Sequence, residues 1–207
     1  GQNTYEGLGR LDGLEALKPA LVLVAFGAND CCHHYLQPEE TRQALVALVT
    51  EYFNQAQDVE VKLVTFASDA TILNSNNAYT DKASVIAAIN AITGSGGTDY
   101  TEALIDAQTA FGTVDSTRSN ILYFLSDGDP NEGDSSDPGG STGYRTFIAN
   151  NNIDSYGVAI GTGISNLGPL NGIHNIDADG NGIEDNAIVV PDLNELANTL
   201  ISTIPVA

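Results

Sequence analysis

The sequence predicts a doubly wound α/β domain: a mostly parallel sheet with one antiparallel edge strand and helices on both faces. Three observations lead there. Short apolar runs of the buried-strand type alternate with stretches of helical periodicity. The chain has 207 residues, enough for a single domain over 1–207 with a substantial core. One strand-like stretch, 70–73, follows another at 59–66 so closely that it reads as its short edge partner.

The elements justify this in order. Residues 21–25 form a continuous apolar run, as expected of a strand covered on both faces. Pro38 then opens a helical pattern in which Ala44, Leu45, Leu48, Val49 and Tyr52 recur on one face. Residues 59–66 alternate as a strand does, and 81–92 read as a helix capped near Thr80 or Asp81. After the break Gly94-Ser95-Gly96-Gly97, residues 101–111 are helical and 120–125 form another buried strand. An acidic stretch rich in Gly, Pro and Ser, 126–143, reads as a long loop. A helix at 144–151, strands at 155–160 and 186–190, and an amphipathic helix at 192–204 complete the chain. Ligands of such sheets bind beyond the carboxyl ends of the strands, where the loops after Ala25, Ile92 and Leu125 should meet.

Charge narrows the function. Twenty-seven acidic residues against seven basic ones give a net charge of −20. Nucleic acids and anionic membranes both select clustered Lys and Arg, so neither is expected as a partner. The apolar runs are strand-sized and far short of a membrane span, so no membrane insertion is expected either.

One acidic segment has the spacing of a calcium loop. Asp177, Asp179, Asn181 and Asp185 place side-chain oxygens at loop positions one, three, five and nine. Gly182 stands at position six, where such loops turn sharply, and Ile183 can offer its backbone carbonyl at position seven. Ile188 occupies position twelve, so the loop is not a full EF-hand but a shorter Asp-x-Asp-x-Asn-Gly form. A polar Gly-Asn turn is the competing reading. By contrast, Cys31-Cys32-His33-His34 does not read as a zinc site, since four neighbouring side chains cannot turn toward one ion. The adjacent cysteines also cannot close a long loop, and no residue is visible to orient a Cys/His nucleophile pair.

Three segments carry a family resemblance: Val61-Lys62-Leu63-Val64-Thr65-Phe66-Ala67, Gly96-Gly97-Thr98-Asp99-Tyr100, and Leu125-Ser126-Asp127-Gly128-Asp129-Pro130. In this order and spacing they resemble the von Willebrand factor A family. The closing run Val189-Val190-Pro191-Asp192-Leu193-Asn194-Glu195-Leu196 is similar to A domains of large bacterial adhesins of the repeats-in-toxin type. The resemblance implies a metal-ion-dependent adhesion site, where three loops hold one divalent cation and an acidic group of the partner completes its shell. The family's threonine ligand falls on Thr98 and its aspartate on Asp127; the plainer readings are a helix N-cap and an Asp-Gly turn. The first loop departs from the family's Asp-x-Ser-x-Ser: it reads Phe26-Gly27-Ala28-Asn29-Asp30, and only Asp30 keeps a side chain able to bind a cation. What the resemblance leaves is a degenerate site of Asp30, Thr98 and Asp127 for Ca2+ or Mg2+.

The expected function is therefore a calcium-dependent, non-catalytic adhesion module of a bacterial cell-surface protein. It would be exported, flanked by other adhesin domains, and directed at a protein or other surface ligand bearing an acidic group. An intracellular scaffold regulating a protein partner through its cation site is the alternative. A hydrolase built on Asp30, His33 and Asp127 comes third. The loop at 177–185 favours export, because cytosolic calcium would leave a weak site empty.

Overall fold

The computed structural model describes residues 18–26, 38–93 and 96–205. Phe26 is described only as backbone, and Ala28, Asp30 and the Cys31-Cys32-His33-His34 run lie outside the described residues. Six strands form one sheet in the order β3-β2-β1-β4-β5-β6. They are β1 (Pro19–Phe26), β2 (Glu60–Phe66), β3 (Ala70–Ile72), β4 (Ser119–Ser126), β5 (Asp154–Ile160) and β6 (Ile188–Val190). All neighbours pair in parallel except β2 with β3, the antiparallel edge. The helices are α1 (Pro38–Gln55), α2 (Lys82–Asn90), α3 (Tyr100–Phe111), α4 (Pro138–Ser141), α5 (Tyr144–Asn151), α6 (Gly168–Asn171) and α7 (Leu196–Ser202).

Strand pleating explains why helices are needed on both faces. Successive side chains of a strand point to opposite sides, and both Tyr123 and Phe124 of β4 are fully buried. The Tyr123 hydroxyl lies 2.9 Å from that of Tyr52 on α1 and 2.9 Å from Thr203 at the end of α7. Phe124 meets Phe66 and Tyr100 instead, with ring centroids 5.1 and 4.9 Å away. One layer is thus α1 and α7, which pack together, and the other holds α3 with α4 and α5. A parallel sheet covered on both faces must read as continuous apolar runs, as β1 and β4 do.

The observed elements match most of the expected ones; the short helix α6 and a 3-10 turn at Leu73–Asn76 were not expected, and several ends are set by hydrogen bonds. The α2 helix starts at Lys82 because Asp81 accepts from the Ser84 amide at 2.9 Å. Within the expected loop at 126–143, Asp137 caps the single turn of α4 through the Gly140 amide at 3.0 Å. Residues 193–195, expected to be helical, form a 3-10 turn under the Asp192 cap before α7 begins. The strand expected at 186–190 shortens to β6, because the Ala187 amide bonds the Asn171 side chain at 2.9 Å.

The chain leaves β1 to one side for β2 and later returns on its other side as β4, so the strand order reverses between β1 and β4. Doubly wound sheets bind ligands at that crevice, beyond the carboxyl ends of the strands. At the opposite end, a cavity of about 160 Å³ is lined by Glu60, Lys62, Asp115, Arg118 and Asn120 among others. Its polar groups are already engaged. Lys62 donates to the Ala110 carbonyl, Arg118 to the Asp58 carbonyl and Glu60, and Asn120 to the Asp115 and Arg118 carbonyls. This end braces the first strands and is not the ligand face.

Candidate functional site

The loops that carry Thr98 and Asp127 meet at the carboxyl end of the sheet although the two residues are 29 positions apart in the chain. Backbone and side-chain bonds sew their loops to each other. The Thr98 amide donates to the Asn131 side chain at 2.8 Å, and the Thr98 carbonyl accepts from the Asn131 amide at 3.0 Å and the Glu132 amide at 3.3 Å. The Tyr100 hydroxyl donates to the Gly128 carbonyl at 2.8 Å. Two residues on, Asp134 donates its amide to the Thr101 hydroxyl at 2.9 Å. Thr98 is only 3% exposed, so its orientation is fixed by packing as well.

The N-cap role that could have explained Thr98 belongs to its neighbour. Asp99 accepts from the amides of Thr101 at 2.8 Å and Glu102 at 3.1 Å, and caps α3. The loop after β2 joins the same cluster: the Ser68 hydroxyl accepts from the Gly97 amide at 2.7 Å and donates to Glu132 at 3.0 Å. A Cβ at Gly97 would displace the Glu132 carboxylate from its place beside Ser68.

Asp127 follows the last residue of β4, and burial pushes its carboxyl up to about 6. Among the described residues no ion pair reaches it. A carboxylate in that position carries a desolvation cost that an oxygen-seeking cation would offset. Its pH linkage has a definite sign. A carboxyl raised in the folded state binds more protons folded than unfolded, so stability without metal falls as pH rises from about 4 through 6. Asp127→Asn should therefore melt higher than the parent at pH 8 in chelator, by roughly 1–2 kcal/mol, and show no advantage at pH 4. Equal pH profiles of the two melting curves would show that the carboxylate is well solvated.

The other acids of this loop lie at the solvent surface and also tie the loop together. Asp129 accepts from the amides of Ser165 and Asn166 and from the Ser165 hydroxyl. Burial pulls its carboxyl upward, but these donors outweigh it and hold the group low. Asp134 accepts from the amides of Ser136 and Asp137, both at 3.1 Å. Asp137 pairs with Arg145 at 2.6 Å. Sequence reading missed Asn131, Glu132, Ser68 and Asp99 as the residues that shape the site. Only Asp99, one residue before a helix, left a local signal; the others act through bonds spanning 29 to 64 residues.

The loop 177–185 lies elsewhere. Its base is pinned to the start of β5: Asn175 and Ser155 exchange bonds at 2.7 and 3.0 Å, and the Asp185 amide donates to the Ile176 carbonyl at 2.7 Å. Asp127 follows Ser126, which pairs with Ala159, four residues further along β5. At the rise of an extended strand this separates the two loci by about 13 Å along the sheet. The base of the 177–185 loop thus stands apart from Asp127 along the sheet.

Inside the loop, Asp177 accepts from the amides of Asn181 at 3.1 Å and Gly182 at 2.7 Å. The Gly182 bond is the main reason its carboxyl lies below the usual range. Asp179 accepts from the Asn181 amide at 3.0 Å, and Asn181 accepts from the Ile183 amide at 2.8 Å. Asp185 accepts from the Ala178 amide at 2.9 Å. Gly180 and Gly182 adopt φ of +70° and +83°, the left-handed region the turn requires. Among the described residues, no three His, Cys, Asp or Glu side chains form a ready metal cage. The oxygens of this loop point inward to amides, and each carboxylate oxygen keeps a second lone pair. That donor set, all oxygen on an exposed loop, fits calcium and not zinc.

A family model for the von Willebrand factor type A domain matches residues 34–202. No curated protein matches the chain. Among solved structures, proximal thread matrix protein 1 from the mussel byssus with zinc occupied MIDAS motif has a TM-score of 0.70 at 20% identity, over 91% of this chain and 46% of that one. The von Willebrand factor type A structure from Catenulispora acidiphila has a TM-score of 0.68 at 13% identity, over 89% of this chain and 41% of that one. The chain thus spans less than half the length of each, and at these identities the likeness establishes the fold.

Proposed function

Because the chain belongs to the von Willebrand factor type A domain family, we propose that it is a non-catalytic binding module. In this reading it recognises an acidic group of a partner at the carboxyl end of its sheet. The carrying observation is the half-buried Asp127 carboxylate, without a cationic partner among the described residues, in a loop sewn to that of Thr98. Thr98 and Asp127, with Asp30, would hold the cation, whose role is to attract the partner's carboxylate into an open coordination position. The mussel protein's zinc occupied MIDAS motif supports a divalent cation at this locus of the fold. The family match begins at residue 34, beyond Phe26 and Ala28, in keeping with a first loop that departs from the family pattern.

The second cation is calcium in the loop of Asp177, Asp179, Asn181, Ile183 and Asp185. Lying away from the ligand face, it stabilises the β5–β6 edge and takes no part in recognition. A calcium requirement of this kind suits an exported module of a bacterial surface adhesin, flanked by further domains. The intracellular scaffold remains the alternative, to be distinguished by calcium affinity.

Calorimetry tests both sites. The parent should bind calcium at the 177–185 loop with a dissociation constant of about 0.1 to 1 mM, the range of extracellular modules. Binding at Asp127 should be weaker, and Asp127→Ala should leave the loop's calcium in place. Phe26→Asp with Ala28→Ser should add a tighter magnesium or calcium site that Asp127→Ala then removes. Two cations of similar affinity in the parent, one lost in Asp127→Ala, would show that the adhesion site is not degraded.

A further inference from the structure

We propose that Asn181–Gly182 is a site of spontaneous deamidation, its chemistry assisted by the hydrogen bonds of its own loop. The chain holds two Asn-Gly pairs, Asn171–Gly172 and Asn181–Gly182. Glycine favours this reaction at both because it puts no side chain beside the attacking nitrogen. The structure treats the two pairs in opposite ways.

Asn171 is locked. It ends α6, and the Gly172 amide is spent on the Gly168 carbonyl at 3.0 Å. Its side chain is held at both ends: Nδ2 donates to Asn186 at 3.0 Å, and Oδ1 accepts from the Ala187 amide at 2.9 Å. Helical backbone turns the next nitrogen away from the side chain, and these bonds prevent the rearrangement that attack would need.

Asn181 is exposed, and three bonds prepare it. Its Oδ1 accepts from the Ile183 amide at 2.8 Å, which folds the side chain over Gly182. The same N–H would stabilise negative charge growing on that oxygen as the carbonyl is attacked. The Gly182 N–H points at Asp177 Oδ2, 2.7 Å away, so the attacking nitrogen already has an acceptor for its proton. Nδ2, the leaving nitrogen, donates to Asp179 Oδ2 at 2.8 Å, which fixes the amide's orientation. Gly182 adopts a φ of +83°, a conformation that side chains resist.

The steps balance. The Gly182 nitrogen forms a bond to Asn181 Cγ and its proton passes to Asp177. The Cγ–Nδ2 bond then breaks and ammonia leaves carrying that proton, giving a cyclic imide. Water opens the imide at either carbonyl, to aspartate or to isoaspartate at 181. The aspartate product adds a fourth carboxylate to the candidate calcium ligands Asp177, Asp179 and Asp185, and so a stronger pull on a hard cation. The isoaspartate product lengthens the backbone within the turn and spoils the shell.

The test incubates the intact chain at neutral pH in chelator and follows both asparagines by peptide mass mapping. Conversion at Asn181 should run at least about tenfold faster than at Asn171, and no slower than in a free peptide spanning 175–187. Gly182→Ala should slow it by about tenfold, since the methyl crowds the nitrogen and disfavours the positive φ. Equal rates at the two asparagines, or conversion at Asn181 far slower than in the peptide, would overturn the proposal. Adding calcium should slow the reaction by drawing Asp177 and the Asn181 oxygen onto the ion. Conversion at Asn181 that ignores calcium would support this proposal while counting against the calcium reading of the loop.

Discussion

Phe124→Ala should lower stability by about 3–5 kcal/mol, the cost of emptying a fully buried phenylalanine site. For a chain of this size that is a melting temperature lower by roughly 10 °C. Phe124 stands under the ligand face, where its ring and those of Phe66 and Tyr100 pack against one another, the last two 5.9 Å apart. The Tyr100 hydroxyl in turn holds the Gly128 carbonyl, next to Asp127. The cavity should therefore do more than destabilise: cation binding at Asp127 should weaken further, while the 177–185 loop keeps its affinity. Tyr100→Phe separates the two effects, since it removes only the hydrogen bond, worth about 1 kcal/mol. A Phe124→Ala loss below about 1 kcal/mol would mean that neighbouring rings collapse into the space.

Calcium should raise the melting temperature of the parent and not of Asp179→Ala. At a hundredfold excess over the dissociation constant, a ligand bound only by the folded state adds about 2.7 kcal/mol. For a chain of this length the shift is roughly 5 to 10 °C. The loop joins α6 to β6, and β6 is an edge strand of three residues, so its closure entropy weighs directly on that edge. Hydrogen exchange should accordingly slow most in β6 and around Ser155 and Asn175, which pin the loop's base. Identical melting of the parent in calcium and in chelator would return the segment to a polar turn. Salt controls at equal ionic strength are needed, because a chain of net charge −20 gains some stability from any cation.

The sequence by itself determined the six strands, the longer helices and the sheet's class, since burial on both faces forces unbroken apolar runs and amphipathic helices force a periodic face. It also determined the calcium-loop spacing, which is local: every bond within 177–185 joins residues at most seven apart. The antiparallel edge was legible for the same reason, because β3 follows β2 after three residues. Family resemblance pointed to Thr98 and Asp127, but only the tertiary structure decided how they are held. Asn131, Glu132 and Ser68 have no local pattern, and their roles arise from bonds between loops far apart in the chain. The bonds of the acids at 129–137 show the same limit, because only folding brought Ser165, Asn166 and Arg145 within their reach. Only strand register placed the base of the 177–185 loop some distance along β5 from Asp127, so that the two proposed cation sites stand apart. Spacing along a chain fixes what neighbours can do together; which groups end up partly shielded from water is fixed by packing, and that is what raises the Asp127 carboxyl.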